Sequence, residues 1–220
     1  MDACRHILAG VYPTLGQWQE LAERIYSRGV VPLFDFAYQG FGNGLREDAA
    51  GMLAFLREDA EFFIASSYSK NFGLYNERVG ALTAVSRQPA EAEAVLSQLK
   101  RIVRGNYSNP PSHGGSIVAT IGRDAELRAA WEVEVEEMRD RINGMRKLFV
   151  DTLASLNAPR DFSFIQRHRG MFSLTGLTPA EVDELRSKHA VYVVGDGRIN
   201  VAGMTERNMP ALCEAIAAVL

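Results

Sequence analysis

The chain has 220 residues, 47% hydrophobic and 23% charged, with a formal net charge of -3 at neutral pH. This is the balance of a globular protein with a substantial core, and it favours neither nucleic acid nor an anionic membrane as partner. Cys4 and Cys213 stand far apart without metal-ligand spacing, no apolar run can span a bilayer, and Met-Asp-Ala-Cys-Arg-His opens no signal peptide, so a cytoplasmic protein without a disulfide framework or metal is expected.

In chain order, Leu15, Trp18, Leu21, Ala22 and Ile25 fall at helical spacing, which predicts a helix over Thr14–Arg28 with Thr14 as N-cap and Gly29 as stop. Val30–Phe34 is a continuous apolar run and reads as a strand buried on both faces. Gly40, Gly42 and Gly44 mark a loop, Leu45–Arg57 reads as helix and Phe62–Ala65 as a second buried strand. This alternation argues for a parallel α/β sheet with right-handed crossovers.

A further strand is expected over Val79–Val85 and a helix over Glu91–Arg104 ending near Gly105. Asn109-Pro110-Pro111 breaks the chain before a helix that Ser112 caps and that runs to Ile121. Asp124–Leu156 reads as one extended helix or two, with Met138, Met145 and Leu148 as core. Beyond Pro159, short apolar stretches at Phe162–Ile165, Met171–Leu174, Val191–Val194 and Ile199–Val201 alternate with helices at Pro179–Lys188 and Glu206–Leu220. The expected division is a partial large domain over 1–130 and a smaller α+β domain over 131–220 that includes the long linking helix.

Candidate chemistry gathers in the first part. Lys70 follows the Phe62–Ala65 strand amid Ser66, Ser67, Tyr68 and Ser69, where functional groups of parallel sheets collect. A partly desolvated lysine there can form an imine with an aldehyde. Taken alone, a lysine is most simply solvated surface. Asp35, at the end of the first predicted strand, could pair with a protonated pyridine nitrogen, or could merely cap a turn. Tyr38 could reach the same ring edge, or pack. Ser67 and Arg78 are groups that hold a phosphate. Arg198, in Gly-Arg-Ile-Asn-Val-Ala-Gly, could grip a carboxylate through two parallel hydrogen bonds, or form a surface ion pair. Asn106-Tyr107-Ser108 is a chance glycosylation match, and His6, His113, His168 and His189 show no ligand spacing.

Longer motifs decide between these readings. Ser-Tyr-Ser-Lys-Asn-Phe-Gly-Leu-Tyr-Asn-Glu-Arg-Val-Gly, with Pro-Leu-Phe-Asp-Phe-Ala-Tyr-Gln-Gly-Phe upstream, resembles the aspartate and aromatic-amino-acid aminotransferases, fold type I enzymes that use pyridoxal 5'-phosphate (PLP). Asn-Tyr-Ser-Asn-Pro-Pro-Ser-His-Gly, Asp-Phe-Ser-Phe-Ile, Gly-Met-Phe-Ser and Gly-Arg-Ile-Asn-Val-Ala-Gly-Met extend the resemblance from about Tyr12 over nearly the whole chain.

The resemblance implies an α/β fold: an incomplete fold type I large domain, mainly parallel sheet with helices, followed by a small α+β domain. It makes Lys70 the Schiff-base lysine, Asp35 the partner of the pyridine nitrogen and Tyr38 the phenol at the ring oxygen. Ser67 and Arg78 become phosphate ligands, and Arg198 the binder of the substrate α-carboxylate. It implies amino-acid and 2-oxo-acid substrates, dicarboxylic or aromatic, and a homodimer.

Two departures accompany it. The match is to the C-terminal portion of the family only, which implies marginal stability alone or association with itself or a partner fragment. His6-Ile7-Leu8-Ala9-Gly10 also stands where the family shows His-Asn-Pro-Thr-Gly. The family asparagine hydrogen-bonds the cofactor ring oxygen, and Ile7 cannot. The alternative function is therefore a catalytically inactive remnant that binds PLP weakly or only associates with another subunit.

Overall fold

A computed structural model describes residues 12–220. The His6–Gly10 departure and Cys4 lie outside these residues. The described chain divides into two compact units, Pro13–Val135, and Glu136–Leu220 together with Tyr12. The division falls inside a single long helix.

In the first unit, helix α1 (Leu15–Tyr26) starts where the sequence places it. Thr14 and Gln17 form a capping box that satisfies two orphan N–H groups, and Trp18 and Ala22 are buried. Gly29 takes φ +63 just beyond the helix. Strand β1 runs over Leu33–Phe36 rather than Val30–Phe34. Pro32 has no N–H to give a ladder, its carbonyl accepts from Phe63 N at 2.9 Å, and pairing starts there. Val30 and Val31 are left 52% exposed.

The helix expected over Leu45–Arg57 is shorter: a 3-10 turn at Glu47–Ala49 leads into α2 (Ala50–Leu53). Strand β2 (Phe62–Ser67) pairs in parallel with β1, and β3 (Gly80–Val85) pairs antiparallel with β2. The described sheet, ordered β1-β2-β3, is thus mixed rather than wholly parallel. A parallel return needs a long crossover, usually helical. Tyr68–Val79 forms turns instead, so the chain reverses. One sheet face is covered by an aromatic cluster in which Phe34 packs edge-on against Phe55 at 4.9 Å and Phe62 at 5.4 Å.

Helix α3 (Pro89–Tyr107) continues through Gly105 and buries none of its residues. In α4 (Ser112–Arg123), Ser112 is the first helical residue and Pro111 the cap, so the expected hydroxyl cap is not made. Helix α5 (Ala125–Ser155) is one helix, and Asp124 Oδ1 accepts from the N–H groups of Glu126 and Leu127 at its start.

In the second unit, the buried stripe of α5 is Ile142, Arg146, Phe149, Val150 and Leu153, whereas Met138 is exposed and Met145 and Leu148 are half-buried. A 3-10 turn at Ser163–Arg167 replaces the first apolar stretch. Strands β4 (Phe172–Leu174) and β5 (Arg198–Asn200) pair antiparallel. Helix α6 (Pro179–His189) has a Thr178–Glu181 capping box and α7 spans Met209–Ala218. Val191–Val194 forms no ladder. Gly197 N donates to Val194 O at 2.8 Å in a turn, and Tyr192 is 80% exposed. Leu185, Ile165, Met209, Cys213 and Ile216 are buried in this unit.

Candidate active site

The parallel pairing of β1 and β2 brings their carboxyl ends together. Asp35 pairs in register with Ala65, and Ser67 lies two residues further along β2. Side chains alternate along a strand, so Asp35 and Ser67 project from the same sheet face. Tyr38, buried, follows β1 directly, and Lys70 sits in the turn that leaves β2. Lys70 Nζ lies 4.7 Å from the centroid of the Tyr38 ring, within cation–π reach. Asp35 stands within its strand rather than at its end.

The segments that carry these groups are fixed by partners the sequence does not advertise. Asp48 accepts from the N–H groups of Gly40 (2.8 Å), Gly42 (3.0 Å) and Asn43 (2.8 Å), locking the loop that follows Tyr38. A Cβ at Gly42 would fall 2.3 Å from Asp48 Oδ1, so only glycine fits. Around Lys70, Ser69 and Asn71 are buried. Ser67 Oγ accepts from Ser69 N at 3.3 Å, and Asn71 Nδ2 donates to Gln39 O at 3.3 Å. Trp131 Nε1 donates to Asn71 O at 2.7 Å, and its ring stacks on Phe72 at 4.4 Å.

Arg78 closes the same turn segment. Gly80 pairs with Ser67, and Tyr68 N donates to Val79 O, so Arg78 lies two residues ahead of β3, in the turn that leads into it. It holds φ +53, a left-handed backbone uncommon for a side chain of its size, and its Nη1 donates to Tyr75 O at 3.1 Å. Strain of this kind collects at functional positions.

Arg198 belongs to the second unit. It opens β5 opposite Leu174, with its guanidinium carbon 5.9 Å from the Phe172 ring and its Nη2 3.9 Å from Asp196 Oδ2. Two further groups of this unit were not singled out from sequence. Arg146 is 1% exposed and donates to Asn143 Oδ1 (2.7 Å), Gly170 O (2.5 Å) and Ser173 Oγ (3.4 Å). Burial, then the nearby Arg169, lowers its pKa to about 10. His168 is 5% exposed, its Nδ1 has no hydrogen-bond partner, and burial followed by Arg146 and Arg167 pushes its pKa down to about 4. The visible signal for Arg146 is its place in an apolar helical stripe, three residues before Phe149. Cys213 is buried, its thiol pushed up to about 12, so it is an inert core residue. Among the described residues no acidic, histidine or cysteine cluster could hold a metal, and no helix is long and apolar enough to cross a membrane.

A sheet with candidate polar groups gathered at the carboxyl ends of its parallel strands has the layout of an α/β scaffold. The sequence profile described as aminotransferase class I and II matches residues 4–216, and the chain belongs to that family. It is 57% identical over 217 residues to the aspartate aminotransferase of Salmonella typhi, covering 99% of this chain and 55% of that protein. It is 42% identical over 220 residues to the tyrosine aminotransferase of Klebsiella pneumoniae, covering 100% and 55%. Among solved structures, the aromatic-amino-acid aminotransferase of Burkholderia pseudomallei, covalently bound to pyridoxal phosphate, matches with a TM-score of 0.97 and 49% identity, covering 100% of this chain and 55% of that one. The chain thus spans about half the length of the relatives it matches.

Proposed function

We propose that this chain carries PLP-dependent aminotransferase chemistry at Lys70, moving an amino group between a dicarboxylic or aromatic L-amino acid and a 2-oxo acid. The carrying observation is the grouping of carboxylate, phenol, hydroxyl and amine at the carboxyl ends of β1 and β2, with Lys70 Nζ 4.7 Å from the Tyr38 ring. The Burkholderia relative's covalently bound pyridoxal phosphate supports the choice of cofactor.

The donor set fits that group. The Asp35 carboxylate suits a protonated pyridine nitrogen, and the Tyr38 hydroxyl suits the ring oxygen. The Ser67 hydroxyl and the Arg78 guanidinium suit the phosphate. When bound, PLP supplies an electron-withdrawing ring that drains the charge left as the substrate Cα–H bond breaks. The Lys70 amine would hold the cofactor covalently, and once free it would take up and return the substrate α-proton. Arg198 orients the substrate through its α-carboxylate. We extend the proposal to a cytoplasmic homodimer.

A second reading, an inactive remnant that binds PLP weakly or only pairs with another subunit, is favoured by Ile7 at the family's asparagine position. An assay of the chain with PLP, 2-oxoglutarate and either aspartate or tyrosine separates the two. Turnover lost in Lys70→Ala supports the first. PLP binding without turnover supports the second. Turnover that survives Lys70→Ala overturns the assignment of Lys70.

A further inference from the structure

In the proposed function Arg198 receives the α-carboxylate of the substrate, yet a carboxylate of the chain already stands beside it. Asp196 lies two residues earlier, in the turn that leads into β5. Its Oδ1 accepts from the Arg198 backbone N–H at 3.1 Å, and its Oδ2 lies 3.9 Å from Arg198 Nη2. The first contact fixes the carboxylate. The second is longer than a hydrogen bond, so it is a contact of charges and takes up no guanidinium donor.

The turn keeps Asp196 in that place. Gly197 N donates to Val194 O at 2.8 Å, and Val194 N donates to Arg198 O at 3.4 Å. The Gly197 carbonyl accepts twice from the fully buried Thr175, from its N–H at 3.1 Å and from its hydroxyl at 2.6 Å. Gly197 takes φ +78, and a Cβ there would fall 2.8 Å from Leu177 O, so the turn requires glycine. With its neighbour pinned and its own Oδ1 engaged, Asp196 has little freedom to swing away. The Arg198 side chain is 21% exposed and that of Asp196 43%, so water screens the guanidinium incompletely.

We propose that Asp196 is an affinity-determining residue of the Arg198 site. Its fixed carboxylate opposes the carboxylate of an incoming amino acid or 2-oxo acid, so the site holds such acids more weakly than Arg198 alone would. A cation with one carboxylate beside it attracts a second one less, because the second meets the repulsion of the first. The donors of the guanidinium stay available to a planar carboxylate, so Asp196 lowers the strength of the grip without removing its two-bond geometry. The proposal rests on the reading of Arg198 as the carboxylate binder.

The test treats the 220-residue chain with phenylglyoxal, an arginine reagent, and follows the Arg198 peptide by mass spectrometry as succinate is added. The succinate concentration that halves the rate of Arg198 modification reads the affinity of that one guanidinium for a carboxylate, without cofactor or turnover. Asp196→Asn keeps an acceptor for Arg198 N and removes the charge. It should lower the half-protecting concentration by about fivefold. Asp196→Glu, which keeps the charge, should stay within about twofold of the parent chain. Asp196→Ser serves if Asp196→Asn loses the far-ultraviolet circular dichroism of the parent. Equal half-protecting concentrations in the parent and Asp196→Asn, or a higher one in the variant, overturn the proposal and leave Arg198 as the carboxylate binder. Asp196→Glu behaving like Asp196→Asn overturns it too, because the turn rather than the charge would be responsible. Protection of Arg198 in neither protein overturns the reading of Arg198 and this proposal with it.

Discussion

Trp131 donates its indole N–H to the carbonyl of Asn71 at 2.7 Å, and Asn71 is the residue that follows Lys70. Helix α5 thereby holds the lysine turn from outside the sheet, with the Phe72 ring stacked on the same indole. Trp131→Phe keeps most of the stack and loses the donor. It should cost about 1–2 kcal/mol, the penalty of an unmet buried carbonyl. Trp131→Ala should cost about 3–5 kcal/mol. Urea denaturation checks both, and faster exchange at Gly73 N, whose bond goes to Lys70 O, localises the effect.

Asp48 does the same for the other side of the site by accepting three backbone N–H bonds from the loop after Tyr38. Asp48→Ala should destabilise the first unit by roughly 2–3 kcal/mol, since bonds to a charged acceptor are the strong kind. Limited proteolysis should show new cleavage within residues 38–44. An unchanged digest would mean the loop is held by other contacts.

The candidate residues of the site were proposed from the sequence, whereas those that hold their segments in place were not. Thr14 could be read because capping is local, and Lys70 stands out as a candidate because its neighbours form a long ordered motif. Pro32 has no N–H to give a ladder, so β1 starts at Leu33, later than the apolar run Val30–Phe34 suggests. The antiparallel turn of β3 escaped because apolar runs carry no direction, and only the absence of a helix in Tyr68–Val79 betrays it. Asp48, Trp131 and Arg146 act through backbone carbonyls or amides far along the chain, and no periodicity reports such partners.

In the second unit, Arg146 donates to Asn143, Gly170 and Ser173 from a position 1% exposed. Arg146→Met fits the apolar stripe but strands the Gly170 carbonyl. The expected loss is about 2–4 kcal/mol. Arg146→Lys should recover only part of it, because one ammonium cannot reproduce the guanidinium fork. Chemical denaturation of the three proteins orders them.

His168 gives the second unit an acid sensitivity. Its folded pKa of about 4 lies below the ordinary 6.5, because burial first, then Arg146 and Arg167, disfavour the charged ring. Between those values the unfolded chain binds the proton more readily than the folded one. The stabilising contribution is therefore complete above pH 6.5 and is lost as pH falls toward 4, by roughly 3 kcal/mol at most. His168→Gln should flatten the stability profile over that window. Parallel profiles for the two proteins would place the acid sensitivity elsewhere.

The central claim is that Lys70 is the amine that holds PLP, and it can be tested without any assay of turnover. The chain is incubated with PLP, reduced with borohydride, digested and mapped by mass spectrometry beside Lys70→Ala. The account predicts a reduced pyridoxyl adduct on the peptide containing Lys70, with no other lysine labelled above the background of the variant. Adducts spread equally over surface lysines in both proteins would contradict it.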